Sequence, residues 1–229
     1  MSELNYSITL PRMQGMQHTI AERTRRVYDH LSAIYPASTF FFHSKAHARV
    51  MSHAGIENGM QVLEIATGSG EMFRRLIQAN PDGKTFGLDL SPNMAARTQR
   101  RARKEFPKAE AHCGAVDVRS MPFRKGSFDA VVCCYLLELL GRDDIRLTLR
   151  EVARVLRPGG RYSLVVIGQN GKTFNKLYKV AGSLVPAFWG QLIEESVPNL
   201  VQKSGLKIVA DEFVRQSGYP SRVLVARKK

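Results

Sequence analysis

A carboxylate at Glu64, glycines at Gly68 and Gly70 and a second carboxylate at Asp89 stand where two apolar runs break into small or polar residues. The first run, VLEIATGSG from Val62 to Gly70, is a strand entering a turn. Its glycines let backbone approach a ligand, because no Cβ intervenes and positive φ costs little. EMFRRLIQ follows with Met72, Phe73, Leu76 and Ile77 at helical spacing, so the turn opens a helix whose first N–H groups are free to bind. The second run, TFGLDLSPNM, is a short strand ending at Asp89, from which a carboxylate can accept from a ribose diol. Asp89 has a plainer reading too, as the cap of a helix that Ser91 and Pro92 begin.

A strand, a glycine turn, a helix and a strand-end acid serve two kinds of nucleotide. A dinucleotide site of the G-x-G-x-x-G type needs a third glycine where Phe73 stands. Glu64 would repel a pyrophosphate, whereas it would attract the ammonium of a methionine moiety. The residues therefore favour S-adenosylmethionine (SAM).

With its downstream segments the chain resembles the class I SAM-dependent methyltransferases, within them the ubiquinone/menaquinone and phospholipid methyltransferase group, over residues 25–227. The family's acidic residue and G-x-G-x-G appear as Glu64 and the run Ala66, Thr67, Gly68, Ser69, Gly70, so Ala66 replaces the first glycine and predicts a slightly altered turn. VDVRSMPFRKGSFDAVVCCYLLELL matches the third and fourth motifs, and LREVARVLRPGGRYSLVV matches a helix, a Pro-Gly-Gly turn and the fifth strand. The resemblance implies SAM as cofactor and S-adenosylhomocysteine as product. The cofactor set it implies is Glu64, Ala66, Thr67, Gly68, Gly70, Asp89, Leu90, Asn93, Asp117, Val118 and Cys134. In that set Asp89 accepts from the ribose hydroxyls, Leu90 lies against adenine, Asp117 receives the adenine amino group and Val118 offers backbone contacts. Asp117 also reads as a solvated loop acid.

The resemblance further implies an N-terminal segment that closes over the cofactor with a tyrosine near its methionine end, for which Tyr28 and Tyr35 are the candidates. By position Tyr135 lines the methyl-transfer centre. Glu138 follows the fourth strand, where relatives often carry His, and is the best-placed carboxylate for base work unless it faces solvent from a helix's first turn. In-line methyl transfer needs mainly alignment of acceptor, methyl and sulfur. Whether a base is required depends on how acidic the acceptor is.

The elements that must position these groups are strands at 61–66, 84–89, 110–115, 129–134 and 161–168 with helices between them. A helix stopped by Gly205 and the alternating runs LKIVADEFV and SRVLVARK close the chain as an antiparallel pair. The expectation is an α/β, Rossmann-like seven-stranded sheet with a terminal antiparallel hairpin. An N-terminal helical cap over 1–58 and a methyltransferase domain over 59–229 form one globular unit. At 229 residues and 44% hydrophobic, the chain can bury one full core. Cys113, Cys133 and Cys134 lack CxxC spacing and read as reduced core residues. His43 and His47 fall at i, i+4, but no further ligands with zinc spacing accompany them, so no metal is expected. The N-terminus lacks a charged start and apolar block, and AVVCCYLLELL is too short for a bilayer and contains Glu138. A cytoplasmic protein is expected, peripheral on the inner membrane face.

A formal charge of +14, with Arg97, Arg100, Arg101, Arg103 and Lys104 on one helix, calls for a negative partner. The segment KLYKVAGSLVPAFWG carries Tyr178, Lys179, Phe188 and Trp189 and suits contact with an interface. The tail GYPSRVLVARK and the segment VYDHLSAIY look similar to bacterial phospholipid N-methyltransferases, which makes Lys179, Tyr219 and Arg222 candidates for a phosphate, with Tyr178 and Trp189 in the substrate set. The main expectation is methylation of a phospholipid head-group amine at an anionic membrane, with quinone or other small-molecule C- or O-methylation as the alternative. Nucleic acid is the less favoured acceptor, because CCYL stands where many base-amino methyltransferases carry Asn or Asp, Pro, Pro and an aromatic. A non-catalytic SAM-binding protein is the remaining reading. The oligomeric state is not legible in the sequence.

Overall fold

The computed structural model describes residues 35–168, 196–215 and 220–229, with 35–44 as helical backbone. In chain order these are α1 (Tyr35–Ala54), β1 (Gln61–Ile65), α2 (Glu71–Ala79), β2 (Lys84–Asp89), α3 (Pro92–Glu105), β3 (Glu110–Ala115) and β4 (Phe128–Cys134). A 3-10 turn (Leu137–Leu139), α4 (Arg142–Val155), β5 (Leu156–Ile167), α5 (Val197–Lys203), β6 (Leu206–Val214) and β7 (Ser221–Lys228) follow.

The strands form one sheet in the order β3-β2-β1-β4-β5-β7-β6. β1 to β5 pair in parallel, and β7 runs antiparallel to both β5 and β6. This is the expected Rossmann-like sheet with its antiparallel hairpin. The strand order reverses between β1 and β4, and in open α/β sheets such a reversal opens a crevice at the carboxyl ends of the strands. The loops after β1, β2, β3 and β4 therefore share one edge.

β1 and β4 are almost continuously buried, as parallel strands covered on both faces must be. Neighbouring residues on them serve opposite faces. Leu63, Val131 and Leu164 join the larger core under α4 and α5, while Val62, Val132 and Val165 pack with Met72, Leu76, Ala46 and Val50. Through Ala46 and Val50, α1 is held on the sheet beside β5 and β7. Full burial of a valine such as Val50 contributes about 2 kcal/mol.

Two of the differences from the expected boundaries have clear physical causes. β1 ends at Ile65 because Ala66 turns left-handed, with φ 60. β5 begins at Leu156 rather than 161, because the Pro-Gly-Gly segment is a bulge within the strand: Phe128 pairs Leu156, yet Ala130 pairs Arg161. A Cβ on Gly160 would lie 3.0 Å from the carbonyl oxygens of Arg157 and Asp129, so this close approach favours glycine. Among the described residues, no helix is long and apolar enough to cross a membrane.

Candidate active site

The turn after β1 is built by backbone that ordinary residues avoid. Ala66, Gly68 and Gly70 have φ of 60, 49 and 77, and the Gly70 N–H closes the turn on the Thr67 carbonyl at 2.8 Å. A Cβ on Gly70 would meet Thr98 Oγ1 at 2.8 Å, whereas one on Gly68 would enter open space. Asp89, at the end of β2, joins this turn to the next loop: Oδ2 accepts from Gly68 N–H at 2.8 Å and Oδ1 from Ser91 N–H at 2.9 Å. The cap of α3 is Ser91 itself, whose side chain accepts from Met94 N–H, so Asp89 is not the helix cap.

Two further acids flank this turn, in different states. Glu71, the first residue of α2, is gripped by Arg74, Arg75 and Arg101 at 3.0, 3.2 and 3.4 Å. Burial would raise its pKa, but these arginines outweigh burial and hold it below the usual value. Glu64, on β1, is 1% exposed and its Oε2 has no hydrogen-bond partner among the described residues. Burial pushes its carboxyl well above the usual range, and the charges of Asp89 and Glu71 push the same way. A buried acceptor left unpaired in acidic surroundings fits an ammonium, and open space above Gly68 fits close approach of a ligand to backbone. The residues present thus suit SAM.

Asp117 follows β3, where both carboxylate oxygens take the fork of Arg119, with contacts of 2.6–3.0 Å. Arg119 also reaches Asp144 in the first turn of α4 at 2.8 Å. Burial would raise the Asp117 pKa, and the bonds from Arg119 override it. Val118 is buried, Leu90 half-buried and Asn93 exposed on the first turn of α3. Thr67 is buried with its hydroxyl 3.6 Å from Cys113 Sγ.

The other half of the edge lies past β4. Cys134 is half-buried beside Val165. Tyr135 is left-handed, with φ 56, a conformation that costs a bulky side chain free energy and that clusters at functional sites. Its N–H bonds the Val165 carbonyl at 2.9 Å, its hydroxyl pairs Ser221 Oγ at 2.7 Å, and the His47 ring lies 6.4 Å from its own. Glu138 sits in the 3-10 turn and is 2% exposed. It therefore does not face solvent. Oε1 accepts from Ile167 N–H, and Oε2 has no partner among the described residues. Burial pushes its carboxyl up to about 7, despite the backbone N–H groups that favour the charge.

A family model described as a methyltransferase domain matches residues 62–160, the span from β1 to the β5 bulge. A demethylmenaquinone methyltransferase of Lactococcus lactis is 29% identical over 221 residues, 90% of this chain and 85% of that protein. A ubiquinone/menaquinone biosynthesis C-methyltransferase of Desulfotalea psychrophila is 36% identical over 112 residues, 49% of this chain and 43% of that protein. An N-methyltransferase of Haemonchus contortus, solved with phosphomonomethylethanolamine and S-adenosylhomocysteine, superposes with a TM-score of 0.72 at 18% identity, covering 91% of this chain and 59% of that one. These matches support a class I SAM-dependent methyltransferase, with the methyltransferase domain over residues 62–160. The chain is an enzyme that uses SAM.

In this methyltransferase the sequence-predicted cofactor residues other than Cys134 gather at the ends of β1, β2 and β3, and Cys134, Tyr135 and Glu138 gather at the ends of β4 and β5. Arg222, expected at a phosphate, forks onto Asp211 at 2.8 and 2.7 Å and lies over the Phe213 ring. Tyr28, Tyr178, Lys179, Trp189 and Tyr219 lie outside the described residues, and Tyr35 is placed as backbone only. Sequence reasoning missed Arg119, which the short Asp-x-Arg spacing could have signalled. It also missed Ser221, whose contact with Tyr135 spans 86 residues and has no local signature.

Ala66 gives a direct test of the turn. An L-residue in the left-handed region is strained, so Ala66→Gly is expected to stabilise the protein by about 1 kcal/mol. Urea denaturation measures it; a lower midpoint for Ala66→Gly contradicts the strained geometry.

Proposed function

We propose that this methyltransferase transfers the methyl group of SAM to a ring carbon of a reduced quinone. The sequence alone favoured a phospholipid amine. That reading draws on a structural likeness at 18% identity, which speaks to fold, whereas relatives covering most of this chain carry quinone-pathway names. The observation that carries the quinone reading is Glu138, a buried carboxyl three residues past Tyr135, pushed up to about 7 and with one oxygen unpaired among the described residues.

Bound SAM supplies an electrophilic methyl group. A hydroquinone becomes nucleophilic at carbon as its hydroxyl proton leaves, and Glu138 is the group that takes that proton. A base poised near neutral pH suits such a transfer, whereas an amine acceptor can lose its proton to water. Attack of the ring carbon on the methyl would break the carbon–sulfur bond and release S-adenosylhomocysteine; the ring C–H proton would then pass to water as aromaticity returns, and the proton on Glu138 would go back to the ring oxygen. Tyr135, pinned by Val165 and Ser221, forms a rigid wall for the acceptor ring. Glu64 and Asp89 hold the ammonium and ribose, which aligns methyl and acceptor.

A panel of acceptors with radiolabelled SAM tests this reading. Label is expected in a chemically reduced demethylnaphthoquinol. Label in phosphatidylethanolamine or RNA, with none in the quinol, contradicts it.

A further inference from the structure

The outer face of α1 and the end of β6 form a groove that the methyl-transfer chemistry does not use. Lys45, Ala48, Arg49 and Ser52 line it from one face of α1, and Glu212, Phe213, Val214 and Arg215 line it from β6 and the residue beyond, around about 500 Å³. Phe213 is 58% exposed, the most exposed large apolar side chain among the described residues. Three cations face one carboxylate, and that carboxylate, Glu212, is already paired with Arg49 at 3.0 Å and His53 at 3.1 Å. Lys45 and Arg215 have no ion-pair partner among the described residues and are exposed.

The place of this groove in the sheet gives it meaning. Val214 pairs Ser221 across the hairpin, and Ser221 bonds Tyr135 and pairs Ile167, which bonds Glu138. The groove thus opens on the same sheet edge as the acceptor end of the site.

We propose that this groove docks the enzyme on an anionic lipid bilayer, with Lys45 and Arg215 against lipid head groups and Phe213 in the interface. Charge complementarity carries the choice of partner: excess cations and an exposed aromatic ring in one groove, on a chain of net charge +14, match a negative surface with an apolar layer beneath it. A single ring, with no further aromatic side chain lining the groove among the described residues, is a poorer match for single-stranded nucleic acid, which binds by successive stacking. The inference rests on the quinone reading for its purpose, since a lipophilic acceptor must be reached from the membrane.

Cosedimentation of the full chain with phosphatidylglycerol/phosphatidylcholine vesicles, against phosphatidylcholine alone, tests it. Binding to the anionic vesicles that weakens with salt is expected. The pair Lys45→Glu and Arg215→Glu should lower partitioning about 30-fold, from about 1 kcal/mol per charge removed. Phe213→Ser should lower it about tenfold. Calorimetric binding of S-adenosylhomocysteine should be unchanged in each variant, and the exposed pair Arg100→Glu and Arg103→Glu on α3 should leave partitioning unchanged. No binding to anionic vesicles, equal binding to neutral ones, or loss only with the α3 pair overturns the proposal. So does RNA retention that the Lys45 and Arg215 reversals abolish while vesicle binding persists. Methylation of a short-tailed, water-soluble quinol separates the two readings: if it proceeds without vesicle binding, the docking surface falls and the quinone reading stands.

Discussion

Asp89→Ala is expected to weaken SAM binding at least 100-fold. Its carboxylate ties the β1 turn, through Gly68 N–H, to the loop opening α3, through Ser91 N–H. Removing it deletes the charged acceptor proposed for the ribose, at about 1.5–3 kcal/mol, and strands two backbone donors that shape the turn. Together these exceed the roughly 2.7 kcal/mol that a 100-fold change requires. Asp89→Asn keeps one acceptor atom and should fall between. Calorimetry with S-adenosylhomocysteine reads the effect, and unchanged affinity would remove Asp89 from the ribose.

Glu138→Gln is expected to lower the methylation rate by about 10²–10⁴ with SAM affinity intact, the range that loss of a positioned base produces. The same substitution should change how stability depends on pH. The folded protein holds the Glu138 proton up to about 7, while the unfolded chain releases it near the ordinary value of 4.5. Stability from this group is therefore full below about 4.5 and is lost as pH rises through about 7, by roughly 3 kcal/mol. The wild-type Tm should fall between pH 5 and 8 by several degrees more than that of Glu138→Gln, which has no proton to lose. Parallel pH profiles for the two proteins would mean that Glu138 titrates normally.

The frame of this fold is written in local pattern. β2, β3, β6 and β7 begin and end where their apolar runs do, because the run length and the breaking residues are local properties. The β5 start was not legible: Pro158 and Gly159 signal a turn, and only pairing with β4 turns that signal into a bulge. The Gly68, Gly70 and Asp89 frame could be read because backbone geometry dictates those residue types. The grip of Arg119 on Asp117, the bond from Tyr135 to Ser221 and the burial of Glu138 could not, because each depends on which way a side chain points in three dimensions. The acceptor was the least legible part, since one frame hosts many substrates and the choice lies in the side chains that face them. The sequence leaned toward a phospholipid amine on charge and interfacial residues, and kinship to quinone-pathway proteins moves the reading to a ring carbon.

Carbon-13 NMR of the product formed from SAM labelled at its methyl group and a reduced demethylnaphthoquinone tests that reading most directly, because it reports the atom to which the methyl is bonded. The account predicts a methyl on an aromatic ring carbon, formed with one equivalent of S-adenosylhomocysteine and suppressed in Glu138→Gln. A methyl on oxygen or nitrogen, or a carbon-bound methyl formed at an unchanged rate by Glu138→Gln, would contradict it.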